Sequence, residues 1–450
     1  MIRWSSVTTT TSLLACSIFL ASLAAGAEAP WKEVLTPEDG EFPLPAPRSE
    51  VVWLDNFSTA FRIARAENRP LFITFRCLPC KQCADFDKNV LEGGAEIDPL
   101  LRQFVTLRVT DARYIDLRLF PIEGYQDLDL SWWGYLVSPE GRIYAIFGGR
   151  DEVSDSTRIS IEALSNTMKR VLQHHYHPQR KAWDIDGPLP DFSTAPTPTD
   201  SLPGYKSWQS SMTEKQTCIH CHQVSDILRQ PAIDAHTFDK KLDTQIWPLP
   251  ENVGITLDRD DGLKVTQVDA GSPAAKAGVQ PGDSLAAAGE RRLFGQADFR
   301  GVLHRGPKGD GQIPLYWTRG DKLHQGVLEV KGDWRETDLG WRQSISQGNI
   351  GCGPGFFPLK ANQNLRKTLK IADDKMAIAP FMGEYHQKLP AYKAGLRTTD
   401  TVTAVNGQSP PLTGRPFLVW FRMNVDPGDK VTLTAVDRKG TARPVSFVAE

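Results

Sequence analysis

Residues 70–83, PLFITFRCLPCKQC, run an apolar, β-branched and aromatic segment straight into three cysteines. Leu71 to Phe75 reads as a buried strand, and the cysteines fall where the next helix begins. At that place free backbone N–H groups and the helix dipole favour a thiolate. Cys80 is therefore the expected attacking thiol, with a lowered pKa, and Cys83, one turn further on, the resolving one. Lys81 adds a positive charge between them. Cys77 is the extra thiol: it can give Cys80 a second disulfide partner or complete a three-thiolate metal site. A structural disulfide is the competing reading of the cluster.

The flanking pattern extends the constraint. A short strand at VVWLDN, a helix over residues 57–67, a strand in FVTLRVTD, a hairpin turning at Pro139-Glu140-Gly141 and a closing amphipathic helix in TRISIEALSNTMKRVLQHHYH predict an α/β sandwich over residues 49–178. This stretch resembles the thioredoxin-like superfamily. The resemblance implies a dithiol/disulfide centre at Cys80 and Cys83. It departs from the family pattern in LDLSWWGYLVSPEG, where Trp132 and Trp133 stand in place of a proline opposite the cysteines.

The N-terminus sets the redox compartment. One early Arg, an apolar run from Leu13 to Ala25 and the small residues Ala25-Gly26-Ala27 predict a cleaved signal over residues 1–27, with the mature chain starting near Glu28 in the periplasm or outside the cell. An uncleaved anchor, or a lipoprotein processed at Cys16, are the alternatives. Outside the cytoplasm disulfides persist. A net charge of -2 with 24% charged residues shows no basic excess, which argues against nucleic acid as a partner. Residues 28–48 read as a proline-rich linker.

A second cysteine motif lies mid-chain, in TCIHCH. Cys218 and Cys221 have the spacing of the two thiols that meet a porphyrin's vinyl groups, and His222 follows directly to reach the iron from the same side. The expectation is a covalent c-type haem, with electron transfer as its role. Zinc held by Cys218, Cys221, His222 and a fourth ligand such as His236 competes, as does a Cys218–Cys221 disulfide. For a sixth iron ligand the candidates are His236, Met212, and His174 or His177. The segment, residues 179–248, otherwise reads as a linker rich in Pro, Ser, Thr and Asp.

Residues 249–332 and 371–450 share the element A-x-K-A-G-(V/L) followed by Asp and a strand ending in Gly, an internal repeat joined by a connector at 333–370. SPAAKAGVQPGDSLAAAGERRL resembles the PDZ domains of bacterial periplasmic proteins, and AYKAGLRTTDTVTAVNG is a weaker copy. The resemblance implies peptide ends bound by strand addition, with Val253, Gly254 and Ile255 bordering the groove. No Ser-His-Asp arrangement of protease type is recognisable upstream.

The sequence thus predicts a multidomain chain, α/β plus mainly-β: a thioredoxin-like sandwich, a small cytochrome-c-like segment and two PDZ-like β domains. Together these resemble an exported thioredoxin-like/PDZ fusion family, some of whose members are selenoproteins. Two redox-capable motifs in one exported chain predict a redox protein that recruits a redox partner through the PDZ-like modules; a non-enzymatic scaffold with structural cysteines is the alternative.

Overall fold

The computed structural model describes residues 34–35 and 42–450 apart from 77–80, 93, 121–125, 130–131, 149–159, 192, 196 and 212–218. Helix α1, Phe57–Glu67, begins because the Asn56 side chain accepts from the Thr59 N–H. It ends at Asn68, whose left-handed backbone, φ 48°, returns an N–H to the Ala64 carbonyl. Its apolar stripe of Ala60, Phe61 and Ala64 is buried. Strand β1, Leu71–Arg76, pairs in parallel with β2, Val105–Val109, and antiparallel with β3, Trp132–Val137. Strand β4, Ile143–Gly148, closes the hairpin, giving the order β2-β1-β3-β4. The expected first strand is reduced to one bridge, Leu54 to Leu107, beside β2.

Helix α2, Lys81–Phe86, follows β1 after residues 77–80. Helix α3, Ile161–Tyr176, capped by Ser160, covers the same sheet. Both faces are covered, so β3 and β4 are buried at every position, the pattern of continuous apolar runs rather than alternation.

Residues 179–248, expected as linker, carry α4, Tyr205–Ser211, and α5, Cys221–Asp234. Trp208, Ile219, Cys221, Val224 and Ile227 belong to the same apolar cluster as Phe75, Val109, Phe120 and Tyr135 of the first sheet. This segment therefore completes the α/β core.

The first β module holds the hairpin β5, Ile255–Leu257, and β6, Val265–Val268, helix α6, Pro273–Ala277, and the sheet β10-β9-β7-β8. In that sheet β7 is Ser284–Ala288, β8 Arg291–Arg292, β9 Gly311–Arg319 and β10 Lys322–Val330, with α7, Gln296–Arg305, between β8 and β9. The second module is a five-stranded sheet in chain order, β11, Phe357–Lys360, β12, Ile378–Phe381, β13, Thr401–Val405, β14, Lys430–Val436, and β15, Ala442–Val448, with α8, Gly414–Asn424. Its first strand comes from the stretch expected as connector. Among the described residues, no helix is long and apolar enough to cross a membrane.

The modules are joined by buried polar contacts. Edge strand β4 is capped by the first β module: Arg291 donates to the carbonyls of Ile143 and Tyr144, and Asp298 accepts from the Ile146 N–H. Arg342 of the connector donates to Asp127 at 2.8 Å and Asp129 at 2.9 Å, and Arg300 of α7 donates to Asp127 at 3.1 Å. Asp129 also accepts from Ser344 N–H and hydroxyl. Burial works against the Arg342 charge, but the carboxylates of Asp127 and Asp129 raise its pKa above the usual arginine value. Replacing Arg342 by Met leaves Asp129 without a cation and Asp127 with Arg300 alone in a dry site. The expected loss is about 3–5 kcal/mol of unfolding free energy, read from the denaturant midpoint; a loss below about 1 kcal/mol would show that the cluster contributes little.

At the same interface His174 Nε2 lies 2.6 Å from Asp186, and Arg292 Nη1 lies 2.9 Å from His174 Nδ1. Arginine only donates, so Nδ1 accepts and the ring is neutral, with its proton on Nε2. Burial lowers the His174 pKa to about 4, against the pull of Asp186. Between the ordinary value of about 6.5 and 4, the unfolded chain binds a proton there that the folded chain does not. The stabilising contribution is complete above pH 6.5 and is lost as pH falls, by up to about 1.4 kcal/mol per unit. Asp226 and Asp298, which burial pushes up to about 6, act in the opposite sense in part of this window. Comparing the wild type with His174→Gln removes their common contribution. The wild type is expected to show the steeper loss of stability between pH 6.5 and 4; parallel curves would contradict this.

Candidate functional site

The carboxyl end of the parallel pair β1 and β2 collects the chemistry-bearing residues. Of the expected thiols, Cys77 and Cys80 lie outside the described residues. The main chain at Cys83 is in the first turn of α2. Strand β1 ends at Arg76 and α2 begins at Lys81. Strand β3 starts there too, with Arg76 opposite Trp132 and Phe75 opposite Trp133. Both indoles are buried, and Trp132 packs 4.6 Å from Phe86 of α2 between ring centroids. The Trp133 indole N–H donates to the Asp127 carbonyl at 3.0 Å, which ties the start of β3 to the buried Asp127–Arg342 cluster.

The second cysteine motif reaches the same end. Asp111, two residues beyond β2, accepts from the Arg113 N–H and, at 3.4 Å, from the Ile219 N–H. That contact sets the start of α5 beside the end of β2. The Gln223 side chain accepts from the His220 N–H at 2.9 Å, holding the first turn. Cys221, the first helical residue, is buried with Ile219 in the α/β core. Cys218 lies outside the described residues. His220 and His222 are half-buried with stacked rings, 5.6 Å between centroids.

Among the described residues, the sixth-ligand candidates do not gather around this motif. His236 follows the far end of α5, exposed and with φ 54°. From His222 to Asp234 the helix rises about 18 Å at about 1.5 Å per residue. Two ligands of one metal ion stand about 4 Å apart, and in this arrangement the length of α5 separates His236 from His222. His174 is committed to Asp186 and Arg292, and His177 packs against Trp183 and Phe42. Met212 lies outside the described residues. Among the described residues no three His, Cys, Asp or Glu side chains form a metal-binding group. Cys352 is a buried free thiol in the second β module, and burial raises its pKa.

The three residues expected to border a peptide groove in the first β module sit as follows. Val253 and Ile255 are fully buried. Gly254 takes a left-handed backbone, φ 80°, and a Cβ there would stand 2.2 Å from Ser272, so only glycine fits. Its N–H donates to the Glu251 carbonyl and its carbonyl accepts from Asp269. In the second module the edge strand is more exposed. The loop Gly353-Pro354-Gly355-Phe356 leads into edge strand β11, whose Phe357 and Leu359 are 46% and 45% exposed. A cavity of about 330 Å³ lies between that loop, Leu418 and Arg422 of α8, and Phe447.

The residues that reading the sequence missed are Asp111, Asp127, Asp129, Arg300 and Arg342. The acidic alternation of Asp127 and Asp129 just before the tryptophan pair was the available signal; their cationic partners come from more than 170 positions away.

Comparison with known proteins agrees with the α/β part. A family model described as thioredoxin-like matches residues 52–118, which span α1, β1, the cysteine segment and β2. No curated protein matches the chain. Residues 52–118 are thioredoxin-like, within a multidomain chain that carries several further β-sheet regions, and they point to a redox-related role.

Proposed function

We propose that the chain is an exported thiol–disulfide protein whose centre is the segment from Cys77 to Cys83. The observation that carries this is the position of that segment: it joins a buried parallel strand to the N-terminus of a helix within a thioredoxin-like stretch. In the proposed reaction the Cys80 thiolate attacks a partner's disulfide, forming a mixed disulfide and releasing one partner thiolate. Cys83, as thiolate, then attacks the Cys80 sulfur. The second partner thiolate leaves, and Cys80–Cys83 is oxidised as the partner is reduced. Cys77 is the alternative resolving thiol.

Cys221, beside the end of β2, supports a second redox group at the same end of the sheet. The order Cys218, Cys221, His222 still favours a covalent c-type haem, which supplies one-electron transfer when bound. In this reading Cys218 and Cys221 would hold it through thioether bonds and His222 would face its iron. The buried position of Cys221 favours the rival, a Cys218–Cys221 dithiol. Recruitment of a partner by a peptide end is supported best in the second β module, where β11 offers an exposed edge.

Two measurements test this. Full-length protein should catalyse disulfide reduction in an insulin-turbidity assay, with Cys80→Ala lowering the rate at least about tenfold. Equal rates, with a Cys80 thiol of ordinary pKa near 8.5, would leave the scaffold reading. The intact mass of protein exported from cells that make c-type cytochromes should rise by one haem and lose that gain in Cys218→Ala. An unchanged mass assigns Cys218 and Cys221 to thiol chemistry instead.

A further inference from the structure

A cavity of about 820 Å³ lies where the α/β module, α5 and α7 meet. Its size falls within the range of pockets that hold small organic ligands, about 300–1,000 Å³. Most of its wall is apolar, formed by Leu117, Leu128, Leu202, Leu228, Phe238 and Ile246. The same wall carries Arg335, whose charge the fold does not balance. Six arginines among the described residues are buried. Five of them lie within ion-pair distance of a carboxylate: Arg69 of Glu67, Arg180 of Asp186, Arg300 and Arg342 of Asp127, and Arg366 of Asp373. Arg335, 5% exposed, has no such partner among the described residues.

Its surroundings supply dipoles but no negative charge. Nε donates to the Gln245 carbonyl, Nη1 to that of Gly306 and Nη2 to that of His304, with Nη2 also 3.3 Å from His304 Nδ1. The Trp334 ring lies 5.7 Å from the guanidinium. A guanidinium has five N–H groups, so one, on Nη1, is left over. Gln245 and His304 both line the cavity, which puts the guanidinium they hold at its wall. Burial lowers the Arg335 pKa and no acid acts in the other direction. Arginine stays charged even so. Of the other cations on the wall, Lys308 is paired with Asp243, Arg229 with Asp226, and Arg305 is exposed to solvent. A buried charge is ordinarily matched by an opposite one. We propose that this cavity binds an amphiphilic monoanion, its apolar body against the leucine-rich wall and its negative head paired with Arg335. One unbalanced positive charge beside a mainly apolar wall matches one negative charge on an apolar body.

The probes are decanoate, 1-decanol and decylammonium, which share one chain and differ in the charge of the head. Equilibrium dialysis against the full-length protein near neutral pH is expected to show decanoate binding about tenfold tighter than decanol, the margin that a charge-assisted contact gives. Decylammonium should bind more weakly than either. Arg335→Gln should bring the decanoate-to-decanol ratio to about one, while Arg335→Lys, which keeps the charge, should retain most of the preference. Each ratio is taken within one protein, so it is insensitive to a general loss of stability. Ala232→Trp, which fills the cavity from α5, should abolish binding of decanoate and decanol alike. The proposal is overturned by a ratio near one in the wild type, by no binding at all, by decylammonium binding as tightly as decanoate, by a ratio unchanged in Arg335→Gln, or by decanoate binding that survives Ala232→Trp. The readout is binding alone, so its failure leaves the thiol chemistry of the preceding section untouched.

Discussion

Asp127 and Asp129, completely buried at the start of β3, and the arginines that neutralise them set the arrangement of the molecule. Two carboxylates in a dry site are tolerated only with cations in hydrogen-bond contact. Arg342 supplies one guanidinium from the connector and Arg300 another from the first β module. Because each charge has its partner in a different module, none can move away without exposing the others. A core built only of apolar side chains would have allowed many relative positions. A three-way ionic contact with fixed donors allows few.

The cluster also acts on the thiol-bearing end of the sheet. Asp127 accepts the Trp133 indole through its carbonyl while its carboxylate binds Arg300 and Arg342. The first turn of β3 is thereby fixed from behind by two modules. In the sequence this position looked like a simple replacement of a proline by two tryptophans. The structure gives the replacement a physical role: Trp132 fills the space against Phe86 and Phe72, and Trp133 anchors to Asp127 and packs 6.3 Å from Trp247. The strand start is held by aromatic packing and a hydrogen bond.

The local α/β pattern was readable because its signals are local. The α1 boundaries, Phe57 and Glu67, follow from Asn56 and from the apolar spacing of Ala60, Phe61 and Ala64; β1 follows from an unbroken apolar run. The hairpin follows from Pro139-Glu140-Gly141. What was not readable came from long-range pairing. The Pro- and Ser-rich composition of residues 179–248 suggested a tether, but Trp208, Val224 and Ile227 pack into the first core. Phe357 to Lys360 joined the last sheet as its edge strand although the repeat pattern begins later. His236 follows His222 closely enough in sequence to suggest a shared ion, yet a continuous helix separates them. Spacing reports reach only in a chain that can turn back.

The two β modules carry related sequence and opposite polar accounting. In the first, Arg291, Asp298 and Arg300 all face the α/β module, where they cap β4 and neutralise Asp127. Gly254 uses both its backbone groups within the module. Its polar inventory is consumed by structure. In the second, α8 gives Arg422 to the connector carbonyls of Ser346, Gly348 and Gly351, while β11 keeps an exposed edge with Phe357 opposite Phe381, 54% exposed. An apolar edge strand exposed in this way is a liability unless something covers it. The asymmetry lies in which groups are already satisfied: the first copy uses its arginines and Asp298 against the α/β module, whereas the second keeps an exposed apolar edge.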